Sequence, residues 1–168
     1  MKKTFQKRTY QGLGEVWADI RFIIKRRSFI QSAMGELISP AFRERLMLVV
    51  TQVNECRYCR TFHASEALKV GIADAELAVL LEGQIPIDAP EEEIPAMIYA
   101  RYWAEREAQP DADNVQELMD VYGEEMAAAI HIVLRMIRMA NLLGNTADFI
   151  LYRLTFGRAG VEEESDES

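Results

Sequence analysis

The most informative stretch of the sequence joins a long apolar segment to a cysteine pair and a histidine: Glu44-Arg45-Leu46-Met47-Leu48-Val49-Val50-Thr51-Gln52-Val53-Asn54-Glu55-Cys56-Arg57-Tyr58-Cys59-Arg60-Thr61-Phe62-His63. Cys56 and Cys59 are the only cysteines in the chain. In a reducing cytoplasm, two cysteines at this spacing are typical of redox chemistry or metal binding rather than of a structural disulfide framework. We therefore expect the chemistry of the protein to lie here.

The apolar part of this stretch predicts a buried helix over residues 40–53. Ser39 and Pro40 provide an N-cap and a first-turn proline for it. The run Val49-Val50-Thr51 also permits a strand, but the length of the segment and the arginines in its first turns favour a helix. A second helix is expected over residues 55–70, with Asn54 as its N-cap and Gly71 as its end.

Helical spacing places the cysteines and the histidine on one face. Since an α-helix turns about 100° per residue, Cys59 lies about 60° and His63 about 20° from Cys56. The two sulfurs can then reach each other, and His63 can take or return a proton. The unpaired N–H groups and the dipole of the helix start would stabilise a thiolate. Arg57 and Arg60 add positive charge nearby.

Glu44 is a candidate partner for His63. It precedes Cys56 by twelve positions, so on one continuous helix it would lie about 120° away, on a different face. A chain break at Asn54 would let the first helix fold back and bring Glu44 towards His63. A buried carboxylate there can orient the imidazole and accept its proton.

The rest of the chain also predicts helices and no convincing hairpin. Further helices are expected over residues 14–38, 74–82, 90–108, 114–122, 124–143 and 146–156, the last two being separated by Gly144-Asn145. The fold class is therefore all-α, with about seven or eight helices. We expect residues 1–160 to form one domain with a basic N-terminal segment. Residues 161–168 contain five acidic residues and are expected to form a disordered tail.

Composition excludes several functional classes. The 168 residues are 49% hydrophobic and 27% charged, which excludes collagen-like and wholly disordered proteins. A net charge of −8 argues against nucleic acid as the main partner. No uninterrupted apolar run reaches the roughly 18 residues of a membrane span, and no signal peptide follows the basic N-terminus. The expected compartment is the cytoplasm.

The charge is unevenly distributed along the chain. Residues 1–27 carry a net charge of +6, which leaves −14 for the remainder. A basic segment can contact an anionic membrane surface, but packing on the protein itself or on a neighbouring subunit is the favoured interpretation.

The motif resembles that of the alkylhydroperoxidase AhpD family, in the carboxymuconolactone decarboxylase superfamily. The similarity runs from Arg43-Glu44-Arg45-Leu46 through the Cys-x-x-Cys-x-x-x-His pattern to Gly71. It is supported by Arg138-Met139-Ala140-Asn141 in a late apolar helix. A glutamate separated by eleven residues from Cys-x-x-Cys-x-x-x-His is more specific than a bare Cys-x-x-Cys.

The resemblance implies an AhpD-like helical fold that assembles as a homo-oligomer, a trimer or a hexamer. It also implies a thiol peroxidase or disulfide reductase that needs no cofactor and no metal. When the roles of the family's residues are carried over by position, the resemblance implies that Cys59 is the peroxidatic thiol and Cys56 the resolving thiol. Glu44 and His63 then form the proton relay. The substrate is then an alkyl hydroperoxide, another peroxide or a small disulfide. The reductant is a dithiol, such as a lipoyl-bearing protein.

One position departs from the founding peroxidases of that family, which carry a second histidine between the cysteines. This chain has Tyr58 there. Tyr58 is a candidate for lining the substrate pocket.

Other functions are compatible with the same residues. One alternative is a carboxymuconolactone decarboxylase-like lyase, although that branch lacks the cysteine pair. Another is a non-catalytic metal-binding or interaction protein, but structural zinc usually takes four Cys or His ligands, and the chain has two of each. His131, among apolar neighbours, is interpreted as a packing or subunit-contact residue.

Overall fold

The computed structural model describes residues 4–160. The predicted acidic tail, residues 161–168, lies outside the described residues. The described chain contains six α-helices and no strand: α1 (Leu13–Ser32), α2 (Pro40–Asn54), α3 (Arg57–Lys69), α4 (Asp74–Leu81), α5 (Ile94–Glu105) and α6 (Ala112–Leu154), with a π-helical turn (Ala33–Leu37) between α1 and α2. The predicted all-α class is confirmed.

Several predicted boundaries are wrong. The helix predicted over residues 14–38 ends at Ser32, and the π-helical turn takes up its last residues. The helix expected from Pro90 begins only at Ile94, after a turn over residues 90–93. Pro95 lies in its first turn, where a missing N–H costs nothing because that group has no intrahelical partner.

The predicted break at Gly144-Asn145 does not exist, because α6 continues through it to Leu154. A glycine inside a helix costs only about 1 kcal/mol relative to alanine, and packing of α6 on the core overrides this cost. The predicted break at Gly123 is present, with a left-handed φ of 76°. With α6 counted as one element the described chain has six α-helices, and with α6 divided at Gly123 it has seven.

Helix α2 forms the centre of the molecule. It packs against α3, α5 and α6, and every residue from Glu44 to Thr51 is buried. A helix that is apolar on all sides must be enclosed by other elements. The strand alternative for Val49-Val50-Thr51 is excluded, since these residues lie inside α2.

Helix α6 is the one helix in the described chain that is long and apolar enough to cross a membrane. No uninterrupted apolar run of that length occurs, but an 18-residue window of α6 has a mean hydropathy of 1.5. Of that window, 56% is buried inside the molecule. Such burial is consistent with the core helix of a soluble protein.

A buried polar network joins the end of α2 to α6. Asn54 Nδ2 donates to Asn141 Oδ1 (3.1 Å), and Asn141 Nδ2 donates to Thr51 Oγ1 (3.1 Å). Asn145 Nδ2 donates to the carbonyl oxygen of Asn54 (2.6 Å). Because buried polar groups need partners, this network fixes the point at which α2 stops relative to α6.

Replacing Asn141 should destabilise the protein through this network. In Asn141→Ala, the side chains of Asn54 and Thr51 lose a buried partner. We expect the free energy of unfolding to fall by about 1–3 kcal/mol, measured by urea denaturation. Gln116→Ala, an exposed change on the same helix, should alter it by less than about 0.5 kcal/mol. Equal effects of the two changes would contradict the assigned role of the network.

Candidate active site

A sharp turn between α2 and α3 positions the cysteine pair. Asn54 is the last residue of α2, and Glu55 follows in the left-handed region with a φ of 56°. Cys56 is the N-cap of α3, and its sulfur accepts a hydrogen bond from the backbone N–H of Cys59 (3.3 Å). The prediction that Asn54 caps this helix is therefore wrong. The Asn54 side chain is engaged by Asn141 instead.

Cys56 and Cys59 are joined by a disulfide, with their Cα atoms 5.3 Å apart. Cys56 is fully buried, whereas Cys59 retains an exposed fraction of 9%. The pair can thus close within one turn of helix, and Cys59 is the member that a reagent from solvent can reach.

Glu44 and His63 meet beside the cysteine turn. Glu44 Oε2 lies 2.6 Å from His63 Nδ1, and both side chains are buried. The other carboxylate oxygen of Glu44 accepts a hydrogen bond from Arg43 Nε (3.4 Å). With Nδ1 held by the carboxylate, Nε2 is the ring nitrogen left for proton transfer. The end of α2 near Asn54 thus brings together two residues nineteen positions apart.

Arg45, the residue after Glu44 in α2, has a structural role. Arg45 binds Glu76 through Nε and Nη2 (2.5 and 3.1 Å) and Glu93 through Nη1 (3.0 Å). Hydrogen bonding to Glu76 raises the pKa of the Arg45 guanidinium. Arg45 therefore ties α2 to α4 and to the turn before α5, away from the cysteines.

The two arginines beside the cysteines are already engaged. Arg57 Nη2 donates to Asp148 Oδ1 (2.6 Å), a carboxylate that is fully buried. This hydrogen bond raises the pKa of Arg57. Arg60 Nη2 donates to the carbonyl oxygen of Leu81 (3.2 Å). Because the charge of Arg57 is paired with Asp148, it stabilises a thiolate less than its sequence position suggests.

Tyr58 lies on the outer side of the cysteine turn. Its hydroxyl donates to Asp148 Oδ1 (2.8 Å), and the guanidinium carbon of Arg57 lies 4.8 Å from its ring centroid. About half of the residue, 47%, is exposed. Its place as a pocket-lining residue remains a prediction.

Sequence reasoning did not identify two residues that shape this site. A Cβ atom at Gly144 would lie 2.8 Å from Cys56 Sγ and 3.4 Å from Tyr58 Cδ2. The backbone of α6 therefore approaches the disulfide at a distance that only glycine permits. A glycine inside an apolar helical pattern is a signal for such an approach. No pattern in the sequence indicates that Asp148 belongs to this site.

The metal-binding alternative gains no support from the geometry. Among residues 4–160, no group of three or more His, Cys, Asp or Glu side chains is arranged to hold a metal ion.

Comparison with known proteins gives one family match. The model of the carboxymuconolactone decarboxylase family matches residues 26–105, a range that contains Glu44, both cysteines and His63. No curated protein and no solved structure matches the chain significantly.

The close approach of α6 leads to a prediction for Gly144. In Gly144→Ala, the new methyl group would overlap Cys56 Sγ, so the disulfide or α6 must shift. We expect the oxidised protein to lose about 1–3 kcal/mol of unfolding free energy, measured by urea denaturation. Gly14→Ala is the control, because a Cβ atom at Gly14 meets no atom within 4 Å. If Gly144→Ala were as stable as Gly14→Ala, the contact between α6 and Cys56 would not constrain the turn.

Proposed function

We propose that this chain, whose residues 26–105 match the model of the carboxymuconolactone decarboxylase family, is an AhpD-like thiol oxidoreductase that reduces alkyl hydroperoxides. One observation carries the proposal. A cysteine pair able to form a disulfide lies at the start of α3, and the same helix carries His63 hydrogen-bonded to the buried Glu44. A thiol pair, a base and a carboxylate that orients the base are the groups that nucleophilic thiol chemistry requires.

The proposed reaction begins with the reduced pair. His63 accepts the proton of the Cys59 thiol, and the thiolate attacks one oxygen of the peroxide. The O–O bond breaks, Cys59 becomes a sulfenic acid, and the departing oxygen takes the proton from His63 to leave as an alcohol. The Cys56 thiol then attacks the sulfenic sulfur, water leaves, and the disulfide forms. One peroxide and two thiols thus give one alcohol, one water and one disulfide.

Cys56 and Cys59 differ in burial, which supports different roles for the two thiols. Cys59 is the more exposed, which suits the thiol that meets the peroxide and the sulfur that a reductant attacks. When a dithiol attacks Cys59, the leaving sulfur is Cys56. Its sulfur accepts the N–H of Cys59 at the start of α3, a contact that stabilises a departing thiolate and speeds exchange.

We propose a dithiol, such as a lipoyl-bearing protein, as the electron donor and the cytoplasm as the compartment. Near Cys59, Tyr58 and Phe62 are 47% and 61% exposed, one helical turn apart on α3. These side chains offer an apolar surface beside the accessible sulfur. Such a surface suits a hydrocarbon chain carrying a dithiol or a hydroperoxide better than it suits a highly charged substrate.

Peroxide treatment of the reduced protein tests this cycle. We expect cumene hydroperoxide to oxidise both thiols of the reduced wild type, so that neither can be alkylated afterwards. Intact mass after alkylation measures this loss. In Cys56→Ser, a sulfenic acid on Cys59 should be trapped by dimedone, whereas Cys59→Ser should trap none. In His63→Gln, the rate should fall by about 10²-fold, the lower end for loss of a general acid–base group.

The control for the histidine change is Glu66→Gln, in the same helix. Glu66 pairs with Lys69 on the surface (2.6 Å) and should leave the rate unchanged. Thiols that stay alkylatable after peroxide treatment would contradict peroxidase activity. A sulfenic acid trapped on Cys56 alone would reverse the parts assigned to the two cysteines.

We also propose that the chain forms a homo-oligomer, a trimer or hexamer, through α1. Four large apolar side chains spaced four, three and four residues apart share one face of this helix and are 38–81% exposed: Leu13, Trp17, Ile20 and Ile24. A contiguous exposed apolar face is typical of an interface. A second copy of the chain is a suitable partner for this face, because the basic first 27 residues of one chain complement the acidic remainder of a neighbouring chain.

Light scattering after size-exclusion chromatography tests the assembly. We expect three or six times the mass of one chain for the wild type. Trp17→Asp should lower the assembled mass, because it places a charge in the centre of the α1 face. Ile87→Asp changes an isolated residue that is 91% exposed and should leave the mass unchanged. A wild type that is monomeric at micromolar concentration would contradict the interface.

A further inference from the structure

A second site of different chemistry lies between α1, the end of α5 and α6. It is a cavity of about 420 Å³. None of the four candidate catalytic residues lines it. Its walls carry four basic or imidazole side chains, Arg26, His131, Arg135 and Arg138. In a chain with a net charge of −8, such a concentration of positive charge requires an explanation.

Helix spacing explains how three of these side chains meet. His131, Arg135 and Arg138 follow one another at intervals of four and three residues on α6, so they share one helix face. Arg26 comes from α1, at a point where that helix departs from helical geometry (φ −120°, ψ 15°). The cavity is therefore assembled from two helices that are distant in sequence.

The positive charge is only partly neutralised. Arg135 Nη2 donates to Asp19 Oδ1 (2.9 Å). Within residues 4–160, neither Arg26 nor Arg138 forms an ion pair. The one acidic lining residue, Glu107, has Oε1 3.8 Å from Arg8 Nε. Two guanidinium groups thus face the cavity without a carboxylate partner.

Aromatic contacts hold two of the guanidinium groups in place. The ring centroid of Phe22 lies 4.1 Å from the guanidinium carbon of Arg135 and 5.1 Å from that of Arg26. Cation–π contacts of this kind restrict long side chains that would otherwise be mobile. A ligand binding there loses less free energy to ordering, because the cationic groups are already positioned.

His131 adds an imidazole to the wall of the same cavity. Tyr99 Oη lies 2.7 Å from His131 Nε2. Burial lowers the pKa of His131 and raises that of Tyr99 to about 12. The imidazole is therefore neutral at neutral pH. In the tautomer with its proton on Nδ1, Nε2 accepts from the Tyr99 hydroxyl and the Nδ1–H is a donor for a bound oxyanion.

The backbone at the cavity wall is strained. Glu107 and Ala108, two consecutive non-glycine residues, have left-handed φ values of 56° and 65°. Their N–H groups close the end of α5, where glycine is the usual residue. Strain of this kind is concentrated at ligand sites and requires support from the surrounding structure.

We propose that this cavity binds a small organic oxyanion, a carboxylate or a phosphate, through Arg26, Arg138 and His131. An apolar part of the ligand would lie against Trp103 and Ile132, which also line the cavity. Guanidinium groups match both oxyanions through paired N–H donors. The proposal is independent of the thiol chemistry, because it uses no residue of that site.

Isothermal titration of the oxidised full-length protein tests the site. The probes are phenyl phosphate, benzoate, inorganic phosphate and the neutral benzyl alcohol. We expect saturable binding of phenyl phosphate or benzoate, with the stronger of the two identifying the preferred oxyanion, and no binding of benzyl alcohol. Binding of the preferred probe by Cys59→Ser should be unchanged, which separates this site from the proposed peroxidase function.

Matched arginine variants locate the binding. Arg138→Gln and Arg26→Gln should each weaken binding about tenfold or more, since each removes a charge-assisted hydrogen bond. Arg138→Lys keeps the charge and should recover part of the affinity. Arg27→Gln changes the neighbouring exposed arginine, which does not line the cavity, and should bind as the wild type does. No binding by either aromatic anion, or an equal loss in Arg27→Gln and Arg26→Gln, would overturn the proposal.

Discussion

Burial of α2 on all sides is the constraint from which the rest of the structure follows. A helix in this position stabilises the fold by removing its apolar residues from water. A polar group that it buries then costs stability unless it finds a partner inside the protein. Glu44, Arg45 and Asn54 each meet this requirement by binding a different element: α3, α4 and α6, respectively. The polar residues of α2 thus determine which neighbours it has, while its apolar residues supply the driving force.

The same constraint produces the cysteine turn. Because α6 and Arg8 hold the end of α2 through Asn54, the chain must reverse within two residues to begin α3. Glu55 takes up the reversal in the left-handed region, and Cys56 becomes the N-cap. Sulfur is a weaker acceptor than the oxygen of serine or asparagine. A cysteine at this cap position costs stability, a pattern expected where reactivity rather than stability determines the residue.

The sequence predicts the fold class and the shared helix face of Cys59 and His63, because both depend on local patterns. The apolar period of α2 indicates a buried helix, and the spacing of Cys59 and His63 follows from helix geometry alone. The meeting of Glu44 with His63 needed only one further assumption, a break near Asn54. The N-cap of α3 is Cys56, two residues after the predicted Asn54, because the side chain of Asn54 is bound by a tertiary partner, Asn141.

Features that depend on tertiary contact were not predictable. Gly144 resembles a helix breaker in sequence, but in the structure it is the point where α6 approaches Cys56. Asp148 resembles one surface carboxylate among many, yet it is fully buried and paired with Arg57. This pairing also changes the electrostatic argument for the site. With the charge of Arg57 paired to Asp148, the backbone N–H groups at the start of α3, Arg60 and His63 are the groups left to stabilise a thiolate in the proposed cycle. Since His63 is in turn oriented by Glu44, the proposed reactivity of the cysteines would depend on how α2 and α3 are placed relative to each other.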